Sequence, residues 1–178
     1  WYTGFNTGWS FNNTISDNII TDNIGCGIWL YQSSYNILSQ NILINNYDGI
    51  HLMGSSNNNV ISENIITNGS NAGVNLWCSS NSIVSANSIA NYGWWGILSS
   101  PSDLPPSSWS SNNTILGNNI ENTDGIGLFW SSNMTISGNT ITNNVYGIYL
   151  SESSNNNVIS ENNITKSYLN AIQVYSSD

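Results

Sequence analysis

The sequence predicts an all-β fold, a right-handed, single-stranded parallel β-helix of about seven coils of 22–24 residues, one coil lengthened by a loop. Three observations predict it. A Gly-aliphatic-x-Leu motif recurs at near-constant spacing, an Asn-x-aliphatic motif keeps phase with it, and clusters of Gly, Asn and Ser cut the chain into short alternating runs.

The first motif stands at Gly27–Leu30, Gly49–Leu52, Gly73–Leu76, Gly125–Leu128 and Gly147–Leu150, with degenerate copies at Gly96–Ser99 and Ala171–Val174. Its first positions are 22, 24, 23, 29, 22 and 24 residues apart. The second motif begins at Asn18, Asn41, Asn64, Asn87, Asn118, Asn139 and Asn162. Each has Ile or Leu two residues later and Ile, Leu or Val three residues earlier. Runs such as Val60–Ile66 read as short strands, because their apolar residues alternate with polar ones and turn residues bound them. Stacked coils put each strand in parallel register with its copy about 4.8 Å away. The recurrent asparagines then form a structural ladder, satisfying buried polar backbone at a turn. The recurrent Gly is read as a corner needing positive φ.

Length fits one β-helix domain over residues 1–178, with a partial coil at 1–10 and a loop insertion at 99–108 that holds Pro101, Pro105 and Pro106. Only 6% of residues are charged, Lys166 is the one basic residue, and the net charge is −9. That composition excludes nucleic acid as a partner, since nothing would neutralise phosphate. Anionic membrane surfaces are excluded on the same ground, and no apolar run is long enough for membrane insertion. The chain opens on Trp1 rather than Met, so it is expected to be a processed chain or a fragment. Possible glycosylation sites at Asn12, Asn68, Asn112, Asn133 and Asn163 accord with an extracellular or cell-surface location.

The unit S-S-N-N-x-V-I-S-x-N-x-I-x-x-N-x-x-G-I-x-L is nearly intact at Ser55–Leu76 and Ser153–Val174. It resembles the repeats of NosD-like proteins and carbohydrate-associated β-helices of archaeal and bacterial surface proteins. The resemblance implies the fold over the whole chain. It implies no single chemistry, because this scaffold carries lyases, hydrolases, epimerases, adhesins and copper-maturation factors.

Asn122-Thr123-Asp124-Gly125 is similar to the catalytic strand of polygalacturonases, whose chemistry needs a second carboxyl nearby. The next coil offers Asn144-Val145-Tyr146-Gly147 and no acid. The one histidine, His51, lies three coils away, and there is no Arg. The acids are scattered over the coils: Asp17, Glu63 and Glu161 share a column, on coils that are not adjacent. His51, Met53, Cys26, Cys78 and Met134 are the plausible soft or borderline ligands for copper. Cys26 and Cys78 are two coils and six residues apart in register, too far for a disulfide or a shared ion. This reading therefore assigns no catalytic residue, no metal and no cofactor.

The aromatics are the remaining signal. Tyr31, Trp77 and Phe129 share a column four residues after the recurrent Gly, with Ser108 taken as the member from the long coil. Trp9, Trp109 and Trp130 form the next column, and Trp94 and Trp95 precede Gly96. The candidate binding residues are Trp77, Trp94, Trp95, Asp103, Trp109, Phe129 and Trp130, facing a neutral polysaccharide or a partner. Packing of the loop and its tryptophans on one another is the alternative. Both ends break off within a coil without a cap, which exposes strand edges to self-association. The expectation is a non-catalytic, extracellular scaffold, a filament subunit or part of a longer surface array. A carbohydrate-binding module and a polysaccharide-active enzyme domain are the alternatives.

Overall fold

The computed structural model describes residues 2–101 and 109–176. Over them the chain is the parallel β-helix that the repeat predicts, with no helix among the described residues. Each coil gives one strand to each of three parallel sheets. The first sheet stacks β1 (Phe5–Gly8), β4 (Ile28–Tyr31), β7 (Ile50–Met53), β10 (Val74–Trp77), β13 (Ile97–Ser100), β16 (Ile126–Phe129), β19 (Ile148–Ser151) and β22 (Ile172–Val174) in that order. The second runs from β2 (Thr14–Ser16) to β20 (Val158–Ser160), and the third from β3 (Ile19–Thr21) to β21 (Asn163–Thr165).

Register is kept from coil to coil, so that Ile28, Ile50, Val74, Ile97, Ile126 and Ile148 form one row. Those residues point inward and meet Leu38, Ile61, Val84 and Ile115 of the second sheet and Leu43, Ile66, Ile89 and Ile120 of the third. All of them are fully buried. Each such side chain contributes about 1.5–3 kcal/mol relative to exposure, and the stack makes one continuous apolar core.

Side-chain ladders hold the corners. From Asn18 to Asn162, each ladder asparagine donates both its backbone N–H and its side-chain amide to the Oδ1 of the next. A second ladder links Asn13, Asn36, Asn59, Ser82 and Asn113, and a third joins Ser10, Ser33 and Ser56. At another corner, where Asn23 pairs with Asn46, later coils carry Gly69 and then Tyr92. The Tyr92 ring fills the space over Gly69 and is buried inside the coil.

The recurrent glycines do a different job from the one read in the sequence. Among them only Gly125 has a positive φ, 88°. Gly27 is glycine because coils approach closely there: a Cβ would lie 2.7 Å from Leu43 Cδ2 and 2.8 Å from the Gly49 carbonyl oxygen. The turning is done by single left-handed residues. Asp17, Gln40, Glu63, Ala86 and Glu161 take this conformation just before the ladder asparagine, and Asn45, Asn68, Asn91, Asn122 and Asn143 take it at the next corner.

Candidate functional site

On the outer face of the first sheet, alternation turns out the residue between each inward pair. Trp29, His51 and Asn75 thus stand side by side on β4, β7 and β10. Leu98, Gly127 and Tyr149 continue the row. A second row comes from residues just before each recurrent Gly, among them Cys26, Asp48, Ala72, Trp95, Asp124 and Tyr146.

Where these rows meet, Asp48 Oδ2 pairs with His51 Nδ1 at 2.9 Å. The carboxylate is almost completely buried. Its other oxygen accepts the Asn71 amide at 2.7 Å and the Ala72 backbone N–H at 3.0 Å, both from the following coil. His51 is 8% exposed, and its ring stacks on Trp77 with centroids 5.6 Å apart and planes 23° from parallel. Cys26 Sγ lies 3.8 Å from both Asp48 Oδ2 and His51 Nδ1. Burial, reinforced by the Asp48 charge, pushes the Cys26 thiol up to about 12. It is therefore protonated at neutral pH, which argues against a nucleophilic cysteine. The Tyr92 hydroxyl is pushed up too, by burial first and by the Asp48 charge second.

The three atoms Sγ, Oδ2 and Nδ1 lie within 4.8 Å of one another. They are the group among the described residues able to hold a metal ion. Comparing Cys26 with Cys78 misses this: the two are not joined in a disulfide, and the neighbour of Cys26 is Asp48, one coil on in its own row.

The same face carries unsatisfied polar atoms. Trp29 Nε1, His51 Nε2, Asn75 Oδ1, Trp77 Nε1 and Trp95 Nε1 are shielded from solvent and have no hydrogen-bond partner among the described residues. Each such group costs about 1–3 kcal/mol. Five on one face of one sheet call for a reason.

Toward the other end of this face, Trp95 is buried flat over Gly127, where a Cβ would sit 2.8 Å from its ring. It stacks on Tyr146 at 6.2 Å and meets Phe129 edge-on at 5.7 Å. Trp94 is 47% exposed and tilts against Trp95. Trp130 projects from a left-handed corner with φ of 46°, Trp109 is half-buried, and Asp103 lies outside the described residues. Ser100, not Ser108, stands beside Trp77 in register. The reason is that the long coil completes β13 before its insertion begins. Exposed positions carry all five sequons: Asn12, Asn68, Asn112 and Asn133 at left-handed turns, Asn163 in β21.

Asp124 lines a shallow groove of 390 Å³ with Asn122, Asn143, Lys166 and Tyr168. Burial raises its pKa. The Asp48 site carries a signal in the sequence that the polygalacturonase-like motif does not capture. Asp48-Gly49-Ile50-His51 occupies the same coil positions as Asp124-Gly125-Ile126-Gly127, and the partner of the acid lies three residues on rather than on the next coil.

Over residues 1–90 and 107–178 the chain matches the family described as a right-handed beta helix region. No curated protein sequence matches it. Among solved structures it is similar to the periplasmic alginate epimerase AlgG, at 20% identity over 99% of this chain and 47% of that one, with a TM-score of 0.76. It is also similar to the Azotobacter vinelandii mannuronan C-5 epimerase AlgE4 A-module, at 19% identity over 94% of this chain and 57% of that one, TM-score 0.63. A third is the alginate lyase from Paenibacillus sp. str. FPU-7, at 14% identity over 98% and 76%, TM-score 0.61. The chain spans about half the length of the alginate epimerase.

At these identities the likeness is one of fold. It still overturns two expectations, that of a non-catalytic scaffold assembling end to end and that of a chain that is not an enzyme. The three structures named, each matched over 94% or more of this chain, are an alginate epimerase, a mannuronan C-5 epimerase and an alginate lyase. The physical reason for the correction is that the partner of the acid, His51, lies three residues after Asp48 on the same coil, whereas the sequence reading looks for it on the next coil. By its match over most of its length, the chain belongs to the right-handed β-helix family.

Proposed function

We propose that this chain is a polysaccharide-active domain whose substrate lies across the outer face of the first sheet, over β4, β7 and β10. In this reading His51 carries a proton transfer and Asp48 positions it. The observation that carries it is the set of polar atoms of Trp29, His51, Asn75 and Trp77 around that pair, which have no hydrogen-bond partner among the described residues and come within reach of a sugar when these side chains turn outward. Indole N–H groups and an amide oxygen pair with sugar hydroxyls, and aromatic rings stack on the apolar faces of pyranoses. Asp48 holds Nδ1 and leaves Nε2 to the reaction, the arrangement by which a carboxylate orients a catalytic imidazole. No second carboxylate accompanies Asp48 on β4 or β10, so hydrolysis by paired carboxylates is the poorer fit. Proton exchange at a sugar carbon, as epimerisation and elimination require, is the better one.

The fold neighbours that act on alginate and mannuronan support this reading, and one is periplasmic. With the five exposed sequons they favour a place outside the cytoplasm. No helix of the described residues is long and apolar enough to cross a membrane. Within the family, the unit at Ser55–Leu76 favours the NosD-like repeats.

The test is incubation with mannuronan, alginate and α-1,3-glucan, followed by proton NMR and reducing-end assays. Turnover of one of them is expected, reduced about 10²–10⁴-fold in His51→Ala. Trp77→Ala should weaken substrate binding about tenfold. Inertness toward all three polymers, or full activity in His51→Ala, would overturn the proposal.

A further inference from the structure

We propose that Cys26, Asp48 and His51 bind one thiophilic divalent ion, with zinc as the test case, through Sγ, Oδ2 and Nδ1. The site itself does not depend on the glycan reading.

The donor set points to the class of ion. One thiol sulfur, one imidazole nitrogen and one carboxylate oxygen suit zinc and its borderline neighbours, while magnesium and calcium require a shell of oxygens. Geometry agrees. Bonds of about 2.3 Å to sulfur and 2.0–2.2 Å to nitrogen and oxygen set tetrahedral edges of about 3.4–3.6 Å. The edges here are 3.8, 3.8 and 2.9 Å, so an ion seats with ligand movements of about half an ångström.

The ligands are already oriented. Asn71 and the Ala72 N–H hold the distal oxygen of Asp48, and Trp77 holds the plane of His51. Outer partners of this kind fix the ligands of a metal site. Cys26 and Asp48 sit on adjacent coils joined by the Gly27 N–H to the Asp48 carbonyl at 2.9 Å, so the site is rigid before an ion arrives. Cys26 is only partly buried and gives the ion a way in. On binding, the ion replaces the thiol proton, which passes to solvent. The imidazole then carries its proton on Nε2, and the fourth position is left to water.

One consequence rests on the proposed glycan chemistry. An ion on Nδ1 takes His51 away from Asp48 and fixes the proton on Nε2, so zinc would inhibit turnover.

The direct test uses the full chain, stripped with chelator and titrated with Co²⁺ and then Zn²⁺. Expected are one ion per chain by calorimetry, a near-ultraviolet thiolate-to-cobalt charge-transfer band, and bleaching of that band by zinc. Cys26→Ser should abolish the band, and Cys78→Ser should leave it intact. Asn71→Ala, which alters no ligand, should weaken affinity about 10–100-fold and keeps the test open if Cys26→Ser does not fold. No band with cobalt in large excess, or an unchanged band in Cys26→Ser, would overturn the site. Neither result depends on polysaccharide turnover.

Discussion

Asn64 ties three coils together. It donates to Asn87 Oδ1, Leu38 O and Ser62 O, and accepts the backbone N–H and side-chain amide of Asn41. Asn64→Ala leaves the buried Asn41 N–H without its acceptor and removes the side-chain donor from Leu38 O and Ser62 O. At about 1–3 kcal/mol for each group left unsatisfied, a loss of about 2–4 kcal/mol is expected in urea unfolding. Asn162→Ala, in a half-buried position that water reaches, should cost less. Asp124 belongs to the same scale. Burial raises its pKa, so the folded chain holds this proton more tightly than the unfolded one does. Its contribution to stability is therefore greatest at low pH and falls as pH rises from about 3.9, the ordinary aspartate value, through the raised one. In Asp124→Asn that fall should vanish from the pH dependence of the urea midpoint. The ladder was legible in the sequence because its asparagines repeat. The role of Asp48 was not, because it depends on a backbone N–H and an amide some two dozen residues away.

At the scale of the strand, β16 illustrates how one missing side chain organises its neighbours. Gly127 stands in the outward row, and the Trp95 indole rests on it, enclosed by Phe129, Tyr146 and Tyr149. Gly127→Val should lift the indole from its seat, red-shift tryptophan emission and cost about 1–3 kcal/mol through overpacking. Strand content and register were readable because period-two alternation and constant spacing both report on them. The purpose of the glycines is not legible there: a turn geometry and a close approach of two coils leave the same residue type in the sequence. Only the positions of Leu43 and of the next coil's carbonyl distinguish them at Gly27.

Across the whole molecule, stacking converts a separation of one repeat into contact. Cys26 and Asp48 become neighbours, and Trp29, His51 and Asn75 become a row. The repeat that made the fold legible is also what concealed the site, since every coil looks alike until its outward residues are compared by column. The most direct measurement of the proposed function is a crystal structure of the chain soaked with a tetrasaccharide of the polymer it turns over or binds. Sugar density across β4, β7 and β10, with hydroxyls on His51 Nε2 and the indole nitrogens of Trp29 and Trp77, is the expected result. Density confined to the groove of Asp124 and Lys166, with that face bare, would contradict it.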